Sequence, residues 1–216
     1  MAANEFAREQ MVQQQVRAWD VLDERVLDTF RSVPRELFVP PEQQFLAFAD
    51  VDVPLPNGQH MLRPSVAGRL LQCLELTGAE RALEVGAGSG FLTACLAVTC
   101  ASVRSIEIFP DLAELARGNL ARFGARNAEV VLADATRLPG ERYDAIAITA
   151  SLPVYDERLQ DLLTVGGRLC VVVGSPPVME ATLVRCVAPG AWARQSLFET
   201  VIDPLINAQS PRTFIF

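Results

Sequence analysis

Leu83-Glu84-Val85-Gly86-Ala87-Gly88-Ser89-Gly90 is the stretch of sequence that decides the fold. A short apolar run leads into a glycine-rich turn, and helical periodicity follows from about Ser89 to Thr99. Glycines in such a turn let the backbone pass close to a ligand, and the free N–H groups at the start of the following helix can bind it. The stretch therefore predicts a strand, a turn and a helix with a binding site at the turn.

Short apolar runs alternate with helical segments on the carboxyl-terminal side of this stretch. The runs are Val103–Ile108, Val130–Leu132, Ala145–Ile148 and Leu169–Val173, and the intervening helices are predicted at about Asp111–Phe123 and Asp156–Leu163. This alternation is typical of βαβ units on a parallel sheet, and continuous apolar runs favour strands covered by helices on both faces. Two further runs, Ala181–Val187 and Gln195–Ile202, flank Ala188-Pro189-Gly190 and predict an antiparallel hairpin.

The first 77 residues have helical spacing that prolines interrupt, with a long loop from Pro54 to Pro64. Loops of that length are often functional. We therefore predict an α/β protein with a Rossmann-like, doubly wound, mostly parallel sheet, an antiparallel C-terminal hairpin and a helical N-terminal extension. Residues 1–216 would form one domain, with the extension and loop at 1–77 and the Rossmann-like core at 78–216.

Composition excludes several classes of function. Of 216 residues, 50% are apolar, and 19 basic residues against 26 acidic ones give a net charge of -7. This charge argues against nucleic acid and anionic membranes as partners. All the basic residues are Arg, which excludes Schiff-base lysines and the lysine of a P-loop.

The rare residues narrow the prediction further. The single histidine, His60, excludes a multi-histidine zinc site, and we expect no metal. The five cysteines form no CxxC pair, and we expect them to be free thiols that behave as small buried apolar side chains. The N-terminus does not resemble a secretory signal, and no apolar run reaches the ~20 residues that span a bilayer. We therefore expect a cytoplasmic protein, and nothing in the sequence indicates an obligate protein partner.

Acidic residues around the glycine turn indicate which class of ligand it binds. Glu107 ends the next strand, where an acidic side chain typically accepts the hydroxyls of a ribose. The turn has GxGxG spacing rather than the GxGxxG of a dinucleotide site, and Glu84 would repel a pyrophosphate but attract an ammonium group. Asp134-Ala135, after the third strand, suits the exocyclic amine of an adenine. An adenosine that carries an amino acid fits all of these features, and we therefore predict S-adenosyl-L-methionine as the ligand.

Four segments of the chain resemble the protein-L-isoaspartate O-methyltransferase family: Val16–Pro40, Leu83–Phe91, Tyr143–Ala150 with Pro153, and Gly166–Gly174. The resemblance covers nearly all of the chain from Gln14 to Gly174. It implies transfer of a methyl group from S-adenosyl-L-methionine to the free α-carboxylate of isoaspartyl residues in damaged proteins or peptides, with S-adenosyl-L-homocysteine as the second product. The methylation is a step towards repair of the backbone.

The resemblance also implies roles for individual residues. The methionine part of the cofactor would be held by Glu84, Gly86, Ala87, Gly88 and Gly90, the ribose by Glu107 beside Ile108, and the adenine by Asp134 and Ala135. Thr149 would face the reaction centre.

The loop before Pro64 departs from the family pattern. The family usually carries Thr-Ile-Ser here, and this chain has His60-Met61-Leu62 followed by Arg63, so both hydroxyls are replaced. Losing one well-aimed donor costs ~10² to 10³ in rate. Arg63 can bind a carboxylate through two parallel hydrogen bonds, and His60 can donate as well. We therefore predict His60, Arg63 and Thr149 as the catalytic residues.

Other charged residues near the loop carry weaker predictions. Asp50 and Asp52 either brace the loop or are solvated, and Arg31 and Arg35 are expected to form structural ion pairs. Three alternative functions remain open at this point. They are a methyltransferase that acts on a different acceptor, a non-catalytic S-adenosyl-L-methionine-binding protein, and a nicotinamide-dependent oxidoreductase, which the GxGxG spacing and Glu84 disfavour.

Overall fold

The computed structural model describes residues 2–137 and 140–209. The α-helices are α1 (Ala2–Met11), α2 (Glu24–Ser32), α3 (Pro64–Cys73), α4 (Phe91–Thr99) and α5 (Pro110–Phe123). The strands are β1 (Val53–Pro54), β2 (His60–Met61), β3 (Arg81–Val85), β4 (Ser102–Glu107), β5 (Ala128–Leu132), β6 (Tyr143–Leu152), β7 (Leu163–Ser175), β8 (Val178–Ala188) and β9 (Ala191–Glu199). Within the described ranges, no helix combines the length and the apolar character that crossing a bilayer requires.

Seven strands form one sheet in the order β5-β4-β3-β6-β7-β8-β9. β3 to β7 run parallel, and β8 and β9 are antiparallel to their neighbours. The predicted mostly parallel α/β sheet with an antiparallel C-terminal hairpin is therefore confirmed. β3 lies between β4 and β6, so the glycine turn that follows it opens at the carboxyl edge of the parallel strands, where ligands of such sheets bind.

The two faces of the sheet are covered differently. All five α-helices contribute buried residues to the core on one face, where the rings of Phe30 in α2 and Phe91 in α4 meet at 5.5 Å. On the other face, Leu159 and Leu162 belong to a 3₁₀ helix at Glu157–Leu162, where the sequence had predicted an ordinary helix over Asp156–Leu163. Only ten residues, 153–162, separate β6 from β7, and the 3₁₀ helix takes up the last six of them.

Two local predictions need correction. The loop from Pro54 to Pro64 was expected to have no strand pattern, but its ends pair as the antiparallel strands β1 and β2, with Val53 opposite Met61. The last strand ends at Glu199 rather than Ile202.

After β9, residues 200–209 form a segment that crosses the carboxyl edge of the sheet, which we call the crossing segment. The Ser151 N–H donates to the Asp203 carbonyl at 2.8 Å, and the Leu205 N–H donates to the Ser151 carbonyl at 2.8 Å. Further along, the Asn207 side-chain amide donates to Asp134 Oδ2 at 3.0 Å. The segment therefore runs from β6 to the end of β5, over the site where the glycine turn opens.

Candidate active site

Thr149 and Gly86 fix the shape of the glycine turn. Gly86 has φ +96°, and a Cβ on it would lie 2.3 Å from Thr149 Oγ1. The Thr149 hydroxyl lies 2.9 Å from the Val85 carbonyl oxygen and 2.8 Å from that of Gly86, and its single proton is shared between them. Only glycine fits this close approach, so Thr149 holds the turn against the end of β6.

Gly90 sets the start of α4. It has φ +86°, and a Cβ on it would lie 3.2 Å from the backbone of Ala116 in α5. Because this left-handed conformation precedes the helix, α4 begins at Phe91 rather than at the predicted Ser89.

Glu107 presents a fixed carboxylate at the carboxyl end of β4. Its Oε2 accepts the Gly88 N–H at 2.9 Å, and its Oε1 accepts the N–H groups of Ile108 at 2.8 Å and Phe109 at 3.0 Å. A carboxylate has about four acceptor positions, so these three bonds leave capacity for a ligand hydroxyl. The arrangement fits the predicted ribose contact.

Glu84 lies buried beneath the turn rather than in a cavity wall. Its Oε2 accepts the hydroxyls of Thr93 at 2.5 Å and Ser105 at 2.6 Å, whereas Oε1 has no hydrogen-bond partner among the described residues. Burial raises the pKa of Glu84 to about 7, although the two hydroxyl donors act in the opposite direction. Glu84 is therefore a partly protonated group behind the turn, not the exposed charge that the sequence had suggested.

A cavity of about 70 Å³ opens at the turn, and we call it the turn cavity. Its walls include four of the residues predicted to bind the cofactor: Gly86, Gly88, Glu107 and Ile108. His60 and Thr149, predicted to be catalytic, also line it. Sequence reasoning did not predict the remaining wall residues, which are Leu55, Gln59, Phe109, Leu112, Ala150, Asp203, Pro204, Leu205 and Ile206.

The remaining predicted cofactor residues, Glu84, Ala87, Gly90, Asp134 and Ala135, lie outside the walls of the turn cavity. Asp134 Oδ1 accepts the backbone N–H of Thr136 at 2.9 Å and its hydroxyl at 2.7 Å. These bonds hold the pKa of Asp134 below its usual value. Its Oδ2 meets Asn207 of the crossing segment, so the carboxylate predicted to bind adenine is already hydrogen-bonded.

A larger cavity of about 310 Å³, the side cavity, adjoins the turn cavity. Its walls are Asp52, His60, Leu62, Arg63, Thr149, Pro176, Val201, Ile202, Asp203 and Pro204. All three residues predicted to be catalytic are present. His60, Thr149, Asp203 and Pro204 line both cavities, so a group bound in one lies beside a group bound in the other.

The loop that carries His60 and Arg63 is braced by two carboxylates. Asp52 accepts Arg63 Nη2 at 2.5 Å and the Arg63 backbone N–H at 3.0 Å, which raises the pKa of the guanidinium. Asp50 accepts the N–H and the hydroxyl of Ser65, both at 2.9 Å, at the start of α3. Both aspartates therefore brace the loop, and Arg63 is held in place rather than free in solvent.

His60 pairs with a residue that sequence reasoning missed. Its Nδ1 lies 3.0 Å from Asp203 Oδ2 and 3.2 Å from Oδ1. Asp203 is 143 positions away along the chain, and no local motif marks it. The only available signal was an acidic residue beyond the last predicted strand.

Arg31 and Arg35 have different surroundings, although both were expected to form ion pairs. Arg31 pairs with Glu9 and Asp28, but Arg35 is fully buried and pairs with no carboxylate among the described residues. Its Nη2 donates to the Leu62 carbonyl at 2.9 Å, and its guanidinium carbon lies 4.9 Å from the centre of the Phe91 ring. Burial lowers the pKa of Arg35 to about 10. The ion-pair prediction is wrong for Arg35.

Comparison with known protein sequences gives a consistent result. The model of the family described as protein-L-isoaspartate(D-aspartate) O-methyltransferase matches residues 6–195. A protein-L-isoaspartate O-methyltransferase from Methanoculleus marisnigri is 43% identical over 169 residues, which cover 77% of each chain. One from Aeropyrum pernix is 38% identical over 212 residues, which cover 95% of this chain and 82% of that one.

Solved structures show the same fold. A Plasmodium falciparum structure described as a protein-L-isoaspartate O-methyltransferase, in complex with S-adenosyl-L-homocysteine, aligns with TM-score 0.80 and 20% identity. The alignment covers 92% of this chain and 97% of that one. A second structure described as a protein-L-isoaspartate O-methyltransferase aligns with TM-score 0.77 and 23% identity, over 91% of this chain and 65% of that one.

Proposed function

Because the chain belongs to the protein-L-isoaspartate(D-aspartate) O-methyltransferase family, we propose that it transfers a methyl group from S-adenosyl-L-methionine to the α-carboxylate of isoaspartyl residues in damaged proteins. The relatives' shared name favours this acceptor over the alternatives that the sequence left open. The observation that carries the proposal is that the turn cavity and the side cavity share His60, Thr149, Asp203 and Pro204 as walls. A methyl donor and an acceptor bound in the two cavities would be in contact.

The residues at the glycine turn fit the cofactor. The turn leaves no room for a side chain at Gly86, so the backbone itself faces the ligand. We propose that Gly86 and Gly88 hold the methionine part and that Glu107, beside Ile108, binds the ribose. Behind them, the unpartnered Oε1 of Glu84 can offset an ammonium charge.

We propose that the adenine lies towards Asp134 and Ala135. Ala87 and Gly90 act by shaping the turn. When bound, S-adenosyl-L-methionine supplies an electrophilic methyl group.

The acceptor needs little chemical activation. A carboxylate with an ordinary pKa near ~4 is ionised at neutral pH, so no general base is required to remove a proton. The protein has to orient one carboxylate oxygen towards the methyl group and exclude water, which would compete for it. Pro176, Val201, Ile202 and Pro204 give the side cavity apolar walls that serve this second purpose.

We propose that Arg63 and His60 bind the acceptor carboxylate. Asp52 engages Nε and Nη2 of Arg63, and Nη1 has no hydrogen bond to a described residue, so it can donate to a ligand. Thr149 has a different role, because its hydroxyl proton is committed to the carbonyls of Val85 and Gly86. Thr149 therefore positions the turn at the reaction centre and is not expected to transfer a proton.

We also propose that the protein acts in the cytoplasm and without an obligate partner. All five cysteines are free thiols, and four of them are buried, as suits a reducing compartment. Elements of this one chain supply the walls of both cavities.

The deciding experiment measures transfer of labelled methyl from S-adenosyl-L-methionine to a short isoaspartyl peptide and to the same peptide with ordinary aspartate. We expect turnover on the isoaspartyl peptide only. Arg63→Ala should reduce that turnover while sparing S-adenosyl-L-homocysteine affinity, and Glu114→Gln, on the exposed face of α5, serves as the control. No turnover in a preparation that binds S-adenosyl-L-homocysteine would overturn the proposed acceptor, and equal turnover by Arg63→Ala would remove Arg63 from the site.

A further inference from the structure

The hydrogen bond between His60 and Asp203 joins two separate parts of the chain at the boundary between the cavities. His60 begins β2 in the braced loop, and Asp203 lies in the crossing segment. Both residues line the turn cavity and the side cavity. An acceptor bound in the side cavity and a methyl donor bound in the turn cavity would both lie beside this pair.

Asp203 is the more rigidly held member of the pair. Its carbonyl accepts the N–H of Ser151, and two residues later the Leu205 N–H donates back to the Ser151 carbonyl, both at 2.8 Å. These two bonds fasten the backbone on either side of Pro204 to the end of β6. His60 lies in a two-residue strand, β2, that pairs only with the equally short β1. Asp203 therefore sets the orientation of the imidazole, rather than the reverse.

The hydrogen bond fixes which ring nitrogen carries a proton. A carboxylate only accepts hydrogen bonds, so Nδ1 must donate to Asp203. The other nitrogen, Nε2, has no partner among residues 2–137 and 140–209 and is the atom left to meet a ligand. An acceptor carboxylate likewise requires a donor, so the ring that binds it carries a proton on both nitrogens.

Three other charged residues line the two cavities beside this pair. Asp52 and Arg63 face the pair across the side cavity, and Glu107 faces it from the turn cavity. Arg63 is already balanced by Asp52. A donor at His60 Nε2 beside the Nη1–H of Arg63, which no described residue accepts, would offset the repulsion between Asp203 and an incoming carboxylate.

We propose that Asp203 is a positioning residue that orients the His60 ring so that its Nε2–H donates to the acceptor carboxylate. This inference rests on the proposed function, because it concerns how that acceptor is bound. It adds Asp203, which lies outside the family-like segments of the sequence, to the residues that determine acceptor binding.

Kinetic coupling provides the first test. We expect Asp203→Ala to lower kcat/KM for the isoaspartyl peptide about 10- to 100-fold, mainly by raising the peptide KM, as for loss of a charged hydrogen bond. His60→Gln should lower kcat/KM by the same factor. The double variant should lower kcat/KM no further than His60→Gln alone, because Asp203 acts through His60. Asp203→Asn keeps an oxygen acceptor and should recover part of the loss.

Both side chains are partly exposed, at 41% for His60 and 29% for Asp203, so these substitutions open no cavity in the core. Asp161→Ala, an exposed change in the Glu157–Leu162 helix, is the matched control. The proposal would be overturned if the two fold-losses in kcat/KM multiplied in the double variant. It would also be overturned if the kcat/KM of Asp203→Ala were within twofold of the wild-type value.

A second readout needs no turnover. His60 is the only histidine, so both imidazole nitrogen signals in an NMR spectrum belong to this residue. We expect the neutral ring to carry its proton on Nδ1 in the wild type and to lose this preference in Asp203→Ala. Isoaspartyl peptide added with S-adenosyl-L-homocysteine should shift the Nε2 signal, and the aspartyl peptide should not.

A wild-type neutral ring protonated on Nε2 would refute the role of Asp203, whatever the enzyme methylates. A wild-type protein with the Nδ1 proton but no methyl transfer would instead refute the proposed function. The two failures are therefore distinguishable.

Discussion

Glu84 brings a titratable carboxyl into the interior, where it is fully buried beside Thr93 of α4 and Ser105 of β4. Burial raises its pKa from the ordinary 4.5 to about 7 in the folded protein. Below pH 4.5 both the folded and the unfolded chain hold the proton, and Glu84 does not affect the free energy of unfolding. Between pH 4.5 and 7 only the unfolded chain releases the proton, so the folded state loses stability as the pH rises.

Glu84→Gln should remove this pH dependence, because glutamine does not ionise. We expect the gain in the free energy of unfolding of the variant over the wild type to be larger at pH 8 than at pH 5. The increase should be up to roughly 3 kcal/mol, which is the free energy that corresponds to a shift of the pKa from 4.5 to about 7. Urea unfolding at the two pH values measures the difference. Glu114→Gln is the exposed control, and an equal stability difference between wild type and Glu84→Gln at both pH values would contradict the buried titration.

Glu107→Gln addresses the ribose contact. Glutamine has nearly the same shape but lacks the charge that strengthens a hydrogen bond to a ribose hydroxyl, and such bonds contribute about 1.5 to 3 kcal/mol. We expect S-adenosyl-L-homocysteine to bind about 10- to 100-fold more weakly, as measured by calorimetry. Unchanged affinity, with Glu114→Gln alongside, would place the ribose elsewhere.

At the level of elements, Asp50 joins the loop to α3. Its carboxylate receives the Ser65 N–H and hydroxyl at the first turn of that helix, where backbone N–H groups have no partner within the helix. Asp50→Ala should therefore lower the free energy of unfolding by about 1 to 2 kcal/mol.

Urea unfolding should show this loss as a lower midpoint with an unchanged slope. Asp28→Ala, which removes an exposed pair with Arg31 in α2, should cost less than about 1 kcal/mol. Similar losses for the two variants would show that Asp50 is not a cap.

The elements that could be predicted from the sequence are those whose structure depends on residues close together in the chain. Apolar runs and glycines located β3 to β7 and the turn, because burial and backbone conformation at those positions depend on the residues themselves. The crossing segment could not be predicted, since Asp203 and Asn207 find their partners 143 and 73 positions away. Arg35 is a similar case, because Leu62 and Phe91, which surround it, meet it only in the folded chain.

For the molecule as a whole, the same distinction separates the cofactor site from the acceptor site. Gly86, Gly88 and Glu107 follow from one strand, one turn and the next strand, so local sequence was enough to place them. The side cavity is assembled from the loop before α3, the end of β6, the end of β7 and the crossing segment, and its shape depends on all of them. The division into segments 1–77 and 78–216 remains a prediction.

Ligand binding should stabilise the whole fold, because the turn cavity exists only when the glycine turn, the loop and the crossing segment are in place. A ligand at about 100 times its Kd adds about 2.7 kcal/mol of stability, and in a chain of this size each kcal/mol raises Tm by about 2 to 4 °C. Saturating S-adenosyl-L-homocysteine should therefore raise Tm by about 5 to 10 °C, while NAD at the same concentration should leave it unchanged. With Glu107→Gln, the weaker affinity should reduce the rise to about 1 to 5 °C. Thermal unfolding of the wild type and of Glu107→Gln, each with either ligand, tests this prediction. A higher Tm with NAD would contradict a site for an adenosine that carries an amino acid. An undiminished rise in the Tm of Glu107→Gln with S-adenosyl-L-homocysteine would contradict a site built on Glu107.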